Sequence, residues 1–161
     1  MKKIVYFILV IGMVLILKNA YGGSTATISV TVSLEETVSI SLDTNTWNIG
    51  SISLGATVES SAFTVTNDGN VAEDISIKAT NGAGGWTIGT TPGENVFKVA
   101  ADVEPYSSYD IVLSTTDTVL ITNLASGNSK SFKLQYSAPT SDTYGGGVDQ
   151  SFTITLTATK H

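Results

Sequence analysis

The sequence predicts an all-β fold: an antiparallel two-sheet sandwich of about 8–10 short strands. Three observations predict it. Apolar and polar residues alternate with a period of two. This is cleanest in Ser151 to Thr159, where Phe152, Ile154, Leu156 and Ala158 take one parity and Ser151, Thr153, Thr155, Thr157 and Thr159 the other. Turn-forming clusters of Asn, Asp, Gly and Pro break these runs about every ten residues. After residue 22 no segment sustains the 3.6-residue apolar period of a helix.

Composition agrees. The 161 residues fit one domain, and 42% hydrophobic residues can fill one core. Only 14% are charged, against about a quarter in an average domain, and Ser, Thr and Gly supply the missing polarity. That mixture favours strands and tight turns over helices. All eight basic residues are Lys, three of them (Lys2, Lys3, Lys18) within the first 22 residues, which leaves five against fourteen Asp and Glu. An acidic chain without basic patches excludes nucleic acid as a partner.

Residues 1–22 read as a signal peptide helix. Lys2 and Lys3 give a charged start, Ile4 to Leu17 an apolar run, and Ala20-Tyr21-Gly22 small residues at the positions that a signal peptidase inspects. The apolar run is shorter than the about 20 residues of a membrane span. The membrane therefore enters only through this transient segment, and the protein is expected to be secreted, to the extracellular space or the cell surface. Residues 23–161 form the single sandwich domain. The chain has no Cys, so stability rests on the core, on bound metal or on assembly.

The elements follow in order. In Thr25 to Leu34, Ile28, Val30, Val32 and Leu34 share one face; Val38, Ile40 and Leu42 resume the alternation after Glu35-Glu36, as one bulged strand or as two. Trp47 and Ile49 reach back towards the core from the turn that follows. The central stretch is Ala62 to Ala79. Phe63 and Val65 precede the turn Asn67-Asp68-Gly69-Asn70, and Val71, Ile75, Ile77 and Ala79 keep one parity after it, so the chain either folds back as a hairpin or crosses to the second sheet. Trp86 and Ile88 mark a short strand. Phe97, Val99, Ala101 and Val103, then Tyr109, Ile111 and Leu113, then Val119 to Ile121, then Phe132, Leu134 and Tyr136 supply the next inward sets before the long polar loop 137–147 and the last strand.

The segment Phe-Thr-Val-Thr-Asn-Asp-Gly-Asn-Val at 63–71 resembles the strand-turn of many secreted immunoglobulin-like modules. Together with the export leader, the Gly-Ser-Ile-Ser-Leu-Gly approach at 50–55, the segment Gly127 to Tyr136 and a final Thr-rich strand, it is similar to the TasA/camelysin-type family of extracellular fibre subunits and the archaeal pili like them. The resemblance implies an immunoglobulin-like or jelly-roll sandwich whose subunits donate an N-terminal strand to a neighbour. It also carries a protease label, for which this chain offers no metal-binding His motif.

Chemistry is sparse. The one His is the terminal His161, and there is no Cys, so neither a Ser/Cys–His nucleophile nor a zinc site can be assembled. The carboxylate groups Glu35-Glu36, Glu73-Asp74 and Asp102 with Glu104 read as solvated surface charge, because neighbours on a strand point to opposite faces. No catalytic residue and no enzyme are expected. Asp43 and Asn45, and Asn67, Asp68 and Asn70, place oxygen atoms in turns as calcium prefers, although turn formation by Asx residues explains them without an ion. Trp86, Tyr106, Tyr109 and Tyr144 lie near loops, where aromatics can stack on a carbohydrate.

The expectation is a secreted, non-catalytic structural subunit of a fibre, pilus or surface layer, self-assembling into a homopolymer. Ile28, Val30, Val32 and Leu34 are its candidate assembly strand. The alternative is a cell-surface adhesin or carbohydrate-binding module. The apolar face of residues 25–34 can complete its own sandwich or that of a neighbour, and the sequence leaves both open.

Overall fold

The computed structural model describes residues 24–144 and 149–161. The expected signal peptide at 1–22 and the glycine run 145–147 lie outside the described residues. The chain divides into two units between Leu34 and Glu35. In the first, residues 24–34 belong to neither helix nor strand. Ile28, Val30, Val32 and Leu34 are 81–90% exposed.

The second unit, Glu35–His161, is a two-sheet β-sandwich. Its strands in chain order are β1 (Ile40–Leu42), β2 (Thr57–Glu59), β3 (Phe63–Asn67), β4 (Glu73–Ala79), β5 (Thr87–Ile88), β6 (Val96–Val103), β7 (Ile111–Val112), β8 (Thr118–Leu124), β9 (Ser129–Ser137) and β10 (Ile154–Lys160). One sheet holds seven strands in the order β1-β3-β9-β6-β5, with β2 also on β9 and β7 on β6; the other is β10-β4-β8. The pairings are antiparallel except β5 with β6, where Thr87 and Ile88 run parallel to Val96 and Phe97. That departs from the all-antiparallel expectation at two residues.

β9 is the spine of the larger sheet. Phe132 faces Phe63 on one side and Val103 on the other; Tyr136 faces Val58 and Val99. Its alternation is therefore buried against neighbours on both edges. The inward parity of each long strand meets that of the opposite sheet: Phe63, Val65, Phe97, Val99, Ala101, Phe132, Leu134 and Tyr136 against Ile75, Ile77 and Ala79. Fully burying each such side chain stabilises by about 1.5–3 kcal/mol.

The turn at 67–70 is a crossing, not a hairpin: β3 lies in one sheet and β4 in the other. Asn67 is the cause. It is wholly buried, its Nδ2 donates to Val71 O and Leu124 O, both at 2.8 Å, and its Oδ1 accepts from Gly69 N. One amide thus holds the departing chain against β8. A Cβ at Gly69 would run into Thr37 O and the Glu73 carboxylate, so only glycine lets the turn pass so closely.

Candidate functional site

Between the two sheets, on the side of β1 and β10, the sandwich is open. β10 pairs with β4 alone, so among the described residues its other edge has no partner. Thr153 O accepts from Thr80 N, and His161 N donates to Ala72 O, so odd-numbered residues turn their backbone groups towards β4 and its flanks. Even-numbered Ile154, Leu156 and Ala158 therefore direct theirs to the free edge.

Beside that edge runs a groove with a cavity of about 1080 Å³. Phe63, Phe132, Leu134 and Tyr136 line it from the larger sheet, and Phe152, Ile154 and Leu156 from the smaller. The floor is aromatic: Phe152 packs on Phe97 at 4.8 Å between ring centroids and on Tyr136 at 5.9 Å. Burial pushes the Tyr136 phenol up to about 12. The third wall is the segment between β1 and β2, through Trp47, Ile49 and Ile52. An unpaired ladder edge above an alternating apolar trough is the geometry that accepts an added strand. Its polar lining includes the carboxylates of Asp142 and Asp149 and the hydroxyls of Ser51 and Ser151. The period-two pattern of β10 hinted at this site, but nothing local could reveal that its outer edge stays unpaired.

At the far end of β10 the chain entering the unit is tied down. Lys160 Nζ meets both oxygens of Glu36 at 2.6 and 2.7 Å. Asn70 Nδ2 donates to Glu35 O and its Oδ1 accepts from Thr37 N, while Glu73 Oε1 accepts from Ser39 N at 2.7 Å. Glu73 corrects the reading of these carboxylates as surface charge: it is wholly buried, and its Oε2 has no hydrogen-bond partner. It shares the inward parity of Ile75 and Ile77, a signal in the sequence that the rule for charged residues overrode. Asp102 is likewise buried, because the loop after β6 folds over it and Ser107 N donates to its Oδ2.

The turn residues singled out for calcium fall into two groups at opposite ends of the β1–β3 ladder. Asn67 pairs across from Ile40, whereas Asp43 lies just beyond Leu42. Asp43 Oδ1 accepts from Thr44 N and Thr64 N, Asn67 and Asn70 are engaged as above, and Asp68 is exposed. Asn45 lines the groove. Among the described residues no three His, Cys, Asp or Glu side chains converge as a metal site.

The aromatics separate as well. Trp86 lines the groove, and its Nε1 donates to Asp142 Oδ1. Tyr144 packs over Gly85, whose φ of 105° a side chain would strain. Tyr106 and Tyr109 stand away from both, in the loop after β6. Lys133 Nζ sits 4.6 Å from the Tyr106 ring centroid, and burial together with Glu59 pushes the Tyr109 phenol up to about 12. The four do not form one platform. The chain matches no protein-family model and no curated protein.

Proposed function

We propose that the protein is a secreted, non-catalytic structural subunit of an extracellular fibre, pilus or surface layer, and that residues 25–34 of one copy fill the groove of the next. One observation carries the reading: four apolar side chains of strict alternation stand 81–90% exposed, in a chain whose sandwich has an open apolar groove. Ile28 to Leu34 is seven residues, about 23 Å as a strand, and Gln150 to Leu156 along the groove is the same length.

The energetics are consistent. Burying Ile28, Val30, Val32 and Leu34 contributes about 6–12 kcal/mol, against an association cost of about 4–15 kcal/mol. Side-chain burial alone therefore sits near balance, and bonds from the incoming strand to Ile154, Leu156 and Ala158 decide it. The donated segment precedes Glu36, which is fixed at the Lys160 end of β10, whereas the groove runs along 150–156. Donor and acceptor are different surfaces, so each joint is heterologous, the type that propagates as an open filament wherever its rotation does not close a ring.

Electron microscopy of the purified protein across a concentration series tests this. Filaments are expected, and monomers at every concentration would refute it.

A further inference from the structure

One wall of the groove is held largely by apolar contact. Between β1 and β2 the chain is pinned at two places: Asp43 N donates to Thr64 O at 3.1 Å, and Gly55 N to Pro139 O at 2.8 Å. Within Thr44 to Leu54, among the described residues, no backbone N–H donates to a backbone carbonyl; Thr44 N and Gly50 N bond only to side chains, those of Asp43 and Asn48. The segment belongs to no strand. What holds its middle is apolar: Trp47, Ile49 and Ile52 are half-buried against the core, with exposed Asn48, Gly50 and Ser51 between them. Positive φ at Gly50 and Gly55 lets the chain bend over the trough and back.

We propose that residues 44–54 are a displaceable strap. In the free subunit Trp47, Ile49 and Ile52 cover the groove, and assembly requires an incoming strand to exchange with them. This rests on the groove being a strand acceptor and adds the regulation of that site. The strap supplies apolar contact but no ladder to the free edge of β10, and it leaves a cavity of about 1080 Å³. An incoming strand replaces the strap's side-chain contacts and adds ladder hydrogen bonds, and those bonds drive the exchange forward. Because the strap must first release three side chains, it slows that exchange. A strap of this kind keeps the apolar trough covered until a neighbour's segment arrives, which limits premature edge pairing.

The test uses the full chain and a fluorescent peptide of residues 25–34. Trp47→Ala with Ile49→Ser loosens the strap, and its association rate with the peptide should rise at least about tenfold, equivalent to about 1.4 kcal/mol off the barrier. Circular dichroism establishes that the variant is folded. A second measurement needs no strap mutation: in a Trp86→Phe chain, Trp47 fluorescence should shift to the red as peptide binds, because the indole leaves the groove. Equal association rates for the two chains, slower or weaker capture by the loosened chain, or an unchanged or blue-shifted Trp47 would overturn the strap while leaving the groove as an acceptor. A peptide bound by neither chain would remove the acceptor itself and the strap with it.

Discussion

Val30→Asp separates assembly from folding. Val30 is 81% exposed in the subunit, so a carboxylate there meets water and should change subunit stability by no more than about 0.5 kcal/mol. In the proposed joint the same position would enter the groove lined by Phe152, Ile154 and Leu156. Two costs then arise. Burial of the valine is lost, about 1.5 kcal/mol, and an uncompensated charge enters an apolar site at about 3–5 kcal/mol. A penalty of about 4.5–6.5 kcal/mol weakens each joint by roughly a thousandfold or more. Thr31→Asp is the control, because its parity points the charge out of the trough. The assay is negative-stain microscopy with sedimentation, and melting curves confirm the fold. Val30→Asp should give folded monomers, and Thr31→Asp should give fibres. Fibres of normal length from Val30→Asp, or equal loss of fibres from both, would refute the alternation argument.

Three further outcomes follow from the sandwich itself. Glu73→Ala strips the acceptor from Ser39 N and opens a cavity at the start of β4, so urea denaturation should show a loss of about 2–4 kcal/mol; a change under 0.5 kcal/mol would contradict a structural role. The Asn123 N–H first, then His161, hold the Asp74 carboxyl below its ordinary 3.8, so its contribution is complete above that pH and is lost as pH falls through the depressed value. An NMR titration should find Asp74 still below 3.8 when His161 is removed, because the bond from Asn123 remains. Tyr109 and Tyr136 titrate near 12 rather than 10, so the stability they confer is full below pH 10 and declines between pH 10 and 12. Tyr136→Phe should shallow that alkaline decline, and an unchanged slope in equilibrium unfolding would show that Tyr136 is not linked to folding.

The inward sets of β4, β6 and β9 were legible because each needs only a period of two and a single buried face, both local properties. Glu73 was legible by the same rule and was missed because a carboxylate is rarely buried. The open groove was not legible: Phe152, Ile154 and Leu156 read identically whether β10 has one neighbour or two. The same holds for Trp47 and Ile49, whose reach towards the core was expected but whose lack of any ladder was not.

The sequence by itself determined an all-β sandwich, the strands that carry its core and an apolar face on residues 28–34, since alternation, turn residues and composition are written along the chain. The tertiary structure decided which edges pair. At Asn67-Asp68-Gly69-Asn70 an Asp-Gly turn suits a hairpin, yet the buried Asn67 amide binds Leu124, 57 residues away, and carries the chain into the other sheet. Residues 25–34 and 151–159 alternate alike, but only the latter has a ladder, on β4. Pairing is a contact between distant segments, and its free energy depends on which partner edge arrives, a quantity that no local pattern contains.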